Sequence, residues 1–430
     1  MKTQQCDGVA FIQSLQDRQL IFQKTADEAL ATHLDQPRVI YCGFDPTGDS
    51  LHVGSLLQLV NLKRWQDAGH TPILLIGGAT GMIGDPSFKS NERNLLDDER
   101  VQHNVACLLK QVKAYVKLDG IENAARVVNN LDWISKIGTL DFLRDVGKHF
   151  TINTMVARDS VKQRLERDGA GLSFTEFSYS ILQALDFEHL YKQHECTVQL
   201  GGSDQWGNIV SGVDFVRRKT SFQVFGMTLP LIVKSDGTKF GKTESGAVWL
   251  DSVKTSPYAF YQFWINVSDD DVYRFLAQFT FLELEVINQI EAQDKASGRK
   301  PEAQQRLAQE VTRVVHGQEG VDAAERIAAA LFGGDVKTLA ADELQQLSLD
   351  GLPCFTLPKE ISLVDALIET GMASSKRAAR EFINNKAVRI NSEIFDGADD
   401  AQFLTSQFLH QQYLVLQRGR KNHVLILAKR

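Results

Sequence analysis

Short apolar runs that hand over, through glycine-bearing turns, to amphipathic helices constrain this chain more than any other feature. The runs are Val39–Cys42, Pro72–Gly77, Ala125–Val128, Thr197–Leu200 and Leu229–Val233, with helical patterns between them. Alternation of this kind predicts a parallel, doubly wound α/β sheet. Glycine-rich turns directly follow the runs ending near residues 42, 76 and 200. Sheets of this type bind ligands at the carboxyl ends of their strands.

The first hand-over is the most informative. Val39-Ile40-Tyr41 reads as a buried strand, and Leu56-Leu57, Leu59-Val60, Leu62 and Trp65 as an amphipathic helix. Between them, Asp45-Pro46 and Gly48-Asp49-Ser50 are turn chemistry. A His52-Val53-Gly54 step therefore sits at a helix N-terminus, where backbone N–H groups and the helix dipole favour anions. Gly54 lets a ligand approach the backbone, and His52 is a donor able to face phosphate. Far along the chain, Asp236-Gly-Thr-Lys-Phe-Gly-Lys-Thr243 is a glycine-containing loop with two lysines three apart and a hydroxyl.

A chain of 430 residues with 43% hydrophobic content supports two or three packed domains. Its net charge of −7 argues against a general coat for polyanions. Residues 361–430 carry ten Lys/Arg against seven Asp/Glu, so a basic appendix follows an acidic body. Cysteines 6, 42, 107, 196 and 354 are scattered without a Cys-x-x-Cys pair, which points to neither a zinc site nor a disulfide framework. No apolar stretch reaches ~20 residues and the N-terminus lacks a signal-peptide pattern, so a soluble cytoplasmic protein without a membrane partner is expected.

Residues 1–35 read as helical and polar. Residues 139–190 hold helical patterns, Leu140–Gly147 and Val161–Leu165 among them, as an insertion between the halves of the sheet. Residues 255–345 read as mostly helical, with Tyr258, Tyr261, Phe263, Trp264, Tyr273, Phe275 and Phe279 on buried faces. Two prolines mark Leu352–Pro358 as a linker. Ser362 is an N-cap for a helix, and Ser374-Ser-Lys-Arg-Ala-Ala-Arg380 opens a second, basic one. Ala387–Asn391 reads as a strand, and Gln412–Gln417 with His423–Leu427 as a hairpin.

One His-x-Gly turn with one distant Lys-x-x-Lys-Thr loop resembles the paired signatures of class I aminoacyl-tRNA synthetases. Gly43-Phe-Asp-Pro-Thr47, Gly77-Gly-Ala-Thr-Gly-Met-Ile-Gly-Asp-Pro-Ser87, Phe174-Thr-Glu-Phe-Ser-Tyr179, Gly201-Gly-Ser-Asp-Gln-Trp-Gly-Asn208 and Lys239-Phe-Gly-Lys-Thr243 together resemble bacterial-type tyrosyl-tRNA synthetases, in order and over nearly the whole chain. The resemblance implies a Rossmann-like catalytic domain over 1–230 whose helical insertion forms a homodimer interface. It implies a signature loop and helical tRNA-contacting domain over 231–350, and an S4-like α+β RNA-binding domain over 359–430. Its reaction joins tyrosine to ATP as tyrosyl-adenylate with release of pyrophosphate, then passes tyrosine to the 3′-terminal adenosine of its tRNA. Such catalysis is positioning plus stabilisation of phosphate charge, and needs no protein nucleophile.

By the same resemblance, His52, Thr47, Lys239, Lys242, Thr243, Lys89 and Arg93 serve the phosphates. Tyr41 and Asp186 take the substrate hydroxyl, Asp85, Tyr179 and Gln183 the ammonium, and Gln205 faces the substrate. Gly43, Asp45, Gly54, Ser55, Gly201, Gly202, Asp204 and Lys242 surround the nucleotide, and Lys376, Arg377, Arg380 and Arg389 contact RNA phosphates. Cys42 matches a ribose-proximal position, with a small buried strand-end residue as the equal alternative. Magnesium accompanies ATP, and no structural metal is implied. Independently of any family, Tyr179, Gln183 and Asp186 at i, i+4 and i+7 share one helix face. Ser55 departs from the family pattern, which has histidine there; Gln58, one turn on, is placed to compensate. Two other readings compete. A tryptophan-type relative is disfavoured by the Tyr41 and Asp186 pair, and a non-catalytic RNA-binding protein by the intact His52, Lys239, Lys242 and Thr243.

Overall fold

The computed structural model describes residues 6–87, 97–158, 161–162, 165, 172–238, 240–243, 246–297, 302–397, 407–419 and 422–429. They fall into two units, Met1–Leu250 with Asp270–Ser297, and Asp251–Asp269 with Gly298–Arg430.

The first unit is built on a sheet in the order β1-β6-β5-β2-β3-β4. These strands are β1 Gln23–Lys24, β2 Val39–Phe44, β3 Thr71–Ile76, β4 Arg126–Asn129, β5 Cys196–Gly202 and β6 Phe225–Leu229. β6, β5, β2, β3 and β4 run parallel, and only the edge strand β1 is antiparallel. The doubly wound expectation holds. The chain lays down β2, β3 and β4 outward on one side, then crosses over to start β5 on the other side of β2. The strand order therefore reverses between β2 and β5, where a crevice opens beyond their carboxyl ends. Tyr41 pairs with Gln199 and Cys42 with Leu200 across this junction. Buried on both faces, these strands read as near-continuous apolar runs.

The strand expected at Leu229–Val233 lies earlier, at Phe225–Leu229. Pro230 ends it, because it has no N–H for the ladder. The polar N-terminal stretch yields helices Gly8–Asp17 and Asp27–His33 and also strand β1. Helix Phe174–His194 starts at Ser173, whose hydroxyl accepts from the Glu176 N–H at 3.2 Å, a cap worth about 1 kcal/mol. Its buried face carries Tyr179, Ile181, Ala184, Leu185, Asp186 and Phe187. Phe187 and Leu190 join Tyr41, Ile73 and Cys196 in one core cluster.

The second unit contains the helices Pro257–Ile265 and Ala303–Leu331 and a five-stranded sheet in the order β11-β10-β12-β13-β9. Here β9 is Cys354–Leu357, β10 Val388–Ile390, β11 Glu393–Ile394, β12 Tyr413–Arg418 and β13 Asn422–Ala428. The linker expected at 352–358 is a strand instead. β9 runs parallel to β13, with the Leu425 N–H on the Pro353 carbonyl and the Lys429 N–H on the Leu357 carbonyl. The two prolines flank the strand rather than interrupt it, so each loses no ladder bond. Helices Leu363–Glu369 and Lys376–Asn384 pack Leu367, Ala379 and Ile383 into a core with Val388, Leu414 and Ile426. Ser362 caps the first, as expected, at 3.0 Å from the Asp365 N–H.

Candidate active site

The crevice beyond β2 and β5 holds a pocket of about 270 Å³. Its closed end is lined by Tyr41, Leu75, Gln199 and Asp186, and its rim by Asp45, Asp85, Tyr179, Gln183, Asp204 and Gln205. Its mouth carries Gly43, Thr47, His52, Ser55 and Gln58.

Tyr41 and Asp186 are 1% and 2% exposed. The Tyr41 hydroxyl is buried without a hydrogen-bond partner. An orphaned hydroxyl costs roughly 1–3 kcal/mol, so a group that completes it on binding recovers that cost. Burial first, then the Asp186 charge, pushes the Tyr41 phenol well up, and it stays protonated. Asp186 accepts from Asn130 Nδ2 and Trp133 Nε1, each at 2.9 Å. Burial nevertheless raises its carboxyl to about 7, against those two bonds. A carboxylate oriented by two donors beside an unsatisfied phenol is complementary to a hydroxyl that both donates and accepts.

The rim is acidic. Tyr179 donates to Asp45 at 2.7 Å, and Thr80 donates to the other Asp45 oxygen at 2.8 Å. Asp85 accepts from the Ser87 N–H at 2.9 Å and from Gln205 Nε2 at 2.6 Å. Gln205 also donates to Asp204 at 3.1 Å. The Gln183 carbonyl oxygen is buried with no partner. A cluster of carboxylates beside the unpartnered Gln183 carbonyl favours a cation such as an ammonium.

His52 is the N-cap of helix Val53–Asp67: its Nδ1 accepts from the Gly54 N–H at 2.9 Å. In the neutral ring this leaves the proton on Nε2, so the exposed edge is a donor. A Cβ at Gly54 would lie 2.6 Å from the His52 ring. Glycine is needed there for the imidazole to fold over its own helix, not only for a ligand's approach. Gly77 has a similar reason, since a Cβ would sit 2.1 Å from Asp45 Oδ1.

The pocket thus gathers Tyr41, Gly43, Asp45, Thr47, His52, Ser55, Asp85, Tyr179, Gln183, Asp186, Gly201, Asp204 and Gln205. Tyr179, Gln183 and Asp186 do line one pocket from one helix. Gly54 and Gly202 lie next to the lining; a Cβ on Gly202 would be 2.5 Å from Asp204. Cys42 is buried at the strand end and does not line the pocket; burial, and secondarily Asp204, raise its thiol to about 12. Lys89, Arg93 and Lys239 lie outside the described residues. Lys242 and Thr243 form a short strand against Gly246–Ala247. Lys376, Arg377, Arg380 and Arg389 are exposed, with Lys376 paired to Asp365 at 3.0 Å and Arg389 bonded to the Ser392 carbonyl. Sequence reasoning missed Asn130, Trp133, Thr80 and Gln199. Asn129-Asn130 at the carboxyl end of β4 reads as turn chemistry and gives no signal, and Asn129 does accept from the Leu131 N–H at 3.0 Å.

A family profile described as tRNA synthetases class I (W and Y) matches residues 34–333. A second, described as the tyrosine–tRNA ligase SYY-like C-terminal domain, matches residues 343–426. The chain is 53% identical to a tyrosine–tRNA ligase of Neisseria meningitidis serogroup A, over 98% of this chain and all of that one. It is 56% identical to tyrosine–tRNA ligase 1 of Vibrio parahaemolyticus, over 96% of this chain and 98% of that one. A C-terminally truncated mitochondrial tyrosyl-tRNA synthetase of Aspergillus nidulans superposes with a TM-score of 0.67 at 32% identity, covering 75% of this chain and 94% of that one.

Proposed function

Because the chain belongs to the tyrosine–tRNA ligases, within class I of the tRNA synthetases, we propose that its pocket divides into a phenol end, an ammonium rim and a phosphate mouth, each with its own residues. The observation that carries this division is the orphaned Tyr41 hydroxyl beside the oriented Asp186 carboxylate. The substrate phenol donates to Asp186 and accepts from Tyr41. Phenylalanine leaves the Tyr41 hydroxyl unpaired and brings Asp186 no donor, and an indole offers no oxygen for Tyr41 to meet. The ammonium sits among Asp85, Tyr179 and Gln183, with Gln205 held over it by Asp85.

ATP enters at the mouth. A tyrosine carboxylate oxygen attacks the α-phosphorus, the bond to the bridging oxygen breaks, and pyrophosphate leaves with the electron pair. The nucleophile is already an anion, so no general base is required. His52 Nε2 and the Thr47 hydroxyl donate to the triphosphate. Lys239, Lys242 and Thr243 of the signature loop, with Lys89 and Arg93, hold the leaving group. Gly43, Asp45, Gly54, Ser55, Gly201, Gly202 and Asp204 surround the nucleoside, and Gln58 reaches the place Ser55 is too short to fill. Magnesium would accompany ATP and offset the charge of its phosphates. In the second step the 3′-terminal ribose hydroxyl of the tRNA attacks the tyrosyl carbonyl, releasing AMP and a proton.

Lys376, Arg377, Arg380 and Arg389 contact tRNA phosphates. Domains over 1–230, 231–350 and 359–430 divide activation, tRNA contact and RNA binding. The chain works as a homodimer. Leu140, Leu143, Ile152 and Phe174 are 79%, 52%, 61% and 73% exposed around the insertion, and exposed apolar side chains there support this reading. No described helix is long and apolar enough to cross a membrane, and the five free cysteines suit the reducing cytoplasm.

ATP–pyrophosphate exchange with each amino acid in turn tests the pocket. Exchange with tyrosine and none with phenylalanine or tryptophan is expected; comparable exchange with either of the others would remove the role given to Tyr41 and Asp186.

A further inference from the structure

The signature loop is not simply suspended between two domains. Its entry stem, residues 233–235, is gripped by helix Asp269–Phe279. Asp271, only 3% exposed, accepts on Oδ2 from the Ser235 N–H at 3.1 Å and from the Ser235 hydroxyl at 3.3 Å. Its other oxygen takes Arg274, and the same Arg274 Nη2 donates to the Val233 carbonyl at 2.7 Å. Inside the loop, Phe240 packs on Phe275 of that helix with ring centroids 4.5 Å apart.

The exit stem runs along the His52 turn. The Val53 N–H donates to the Val248 carbonyl, and the Leu250 N–H to the Leu51 carbonyl, both at 2.9 Å. The far end of helix Asp269–Phe279 is fixed as well. Arg18 donates to the Ala277 carbonyl at 3.2 Å and to the Leu282 carbonyl at 2.8 Å, and Arg64 donates to the Ala277 and Thr280 carbonyls. Arg64 belongs to helix Val53–Asp67, the helix that His52 caps. One rigid element therefore ties the loop's entry to the helix that presents His52.

A buried carboxylate is costly to desolvate for packing alone, and Asp271 is buried while its partner Arg274 is partly exposed. Here they hold three backbone or hydroxyl groups of a polar loop in one register relative to the His52 turn. We propose that Asp271 and Arg274 are positioning residues of the adenylation step: they fix the register in which the loop lysines close on the leaving pyrophosphate. The inference rests on the clamp role given above to Lys239 and Lys242. Neither residue touches tyrosine, so losing the anchor affects the chemical step and leaves tyrosine binding unchanged.

The test compares Asp271→Asn, Arg274→Met and the exposed, milder Ser235→Ala with the parent full-length protein. Three readouts are taken. Limited trypsin digestion of the unliganded protein reports cleavage at Lys234, Lys239 and Lys242. Single-turnover adenylate formation at saturating ATP gives the rate, and equilibrium dialysis gives the tyrosine Kd. The expected result is faster loop cleavage and a rate lower by roughly ten- to hundredfold in the first two variants, a smaller effect of the same sign in Ser235→Ala, and an unchanged tyrosine Kd. Folded variants with parental cleavage and parental rate would overturn the proposal, as would a loss of tyrosine binding equal to the loss of rate. Should Asp271→Asn not fold, Ser235→Ala carries the same test. Lys242→Ala separates the two layers. If it slows adenylation while the anchor variants do not, the anchor fails and the clamp stands; if it too is parental, the clamp reading fails and takes the anchor with it.

Discussion

At the scale of single residues, the pocket keeps groups that are poor for folding and good for binding. The Tyr41 hydroxyl, buried without a partner, burdens the empty protein. Tyr41→Phe is therefore expected to act in opposite directions on two measurements. Thermal unfolding should shift upward, by the part of the roughly 1–3 kcal/mol desolvation cost that the hydroxyl no longer imposes. Tyrosine affinity should fall about tenfold, the worth of one hydrogen bond to the substrate oxygen. A variant that loses both stability and affinity would show that the hydroxyl has a partner in the empty state. Asp186 adds a pH signature. Its carboxyl titrates near 7 because burial outweighs the Asn130 and Trp133 bonds, and only the anion accepts from a substrate phenol while keeping both. As pH falls from about 8 to about 6, tyrosine affinity should weaken by up to roughly tenfold, the drop in the ionised fraction. Dialysis across that range checks it, and Asp186→Asn should bind weakly with a flat profile. At the mouth, Gly54→Ala should push the imidazole off its cap and slow adenylation without changing tyrosine Kd. An unaltered single-turnover rate would mean that His52 does not need its folded position.

At the scale of elements, the sheet and its functional edge were legible because apolar runs, glycines and prolines punctuate the chain where β2, β3 and β5 end. Periodicity alone put Tyr179, Gln183 and Asp186 on one face, and the helix delivers them to one pocket. What sequence could not give was pairing at a distance. Cys354–Leu357 is too short and too flanked by proline to declare itself a strand until β13 arrives some 70 residues later to receive it. Asn130 looks like turn chemistry until its contacts with Asp186 and Thr80 are known. Nor did any pattern foretell that Asp271, in an ordinary helical stretch, would hold a loop 36 residues upstream. The base of the sheet hides a comparable case in His70. Its Nδ1 accepts from the Arg38 N–H at 3.2 Å, its Nε2 is buried without a partner, and its ring packs against Phe11 and Trp65. Burial lowers it to about 4. The unfolded chain takes up this proton first, so the stability His70 contributes is present above about 6.5 and is lost as pH falls toward 4. Asp186 runs the other way, its folded value lying above the unfolded one, so its contribution shrinks as pH rises from about 4 to 7. Comparison with His70→Gln isolates the histidine. The unfolding free energy of the parent, from urea titrations, should fall relative to the variant between pH 6.5 and 4.5 by on the order of 1–3 kcal/mol, and parallel curves would show that His70 is not neutral in the folded protein.

At the scale of the whole molecule, the pocket proposed for activation and the segment proposed for RNA binding belong to cores of different make. Among the described residues, the pocket is lined by side chains and backbone lying between Tyr41 and Gln205. The C-terminal cluster closes on itself between Leu357 and Ile426, with Leu363, Leu367, Ile383, Leu414 and Leu416 all buried in it. A cut through Cys354–Leu357 would leave a fragment of β9 with no β13 to pair with, an aggregation hazard. The cut belongs before the strand, so that the whole sheet goes with it. Removing residues from Pro353 onward should leave ATP–pyrophosphate exchange with tyrosine within about twofold of the full chain, since no group at the phenol end, rim or mouth is lost. Charging of tRNA should collapse, because Lys376, Arg377, Arg380 and Arg389 leave together and phosphate contacts supply most of the affinity for a polyanion. In the full chain, charging should weaken steeply with added salt while exchange barely responds, and the truncation should abolish that contrast. Full charging by the truncated enzyme would move the tRNA-holding surface off the C-terminal sheet. Loss of exchange would instead tie the two activities together, making the C-terminal sheet part of the activating machinery.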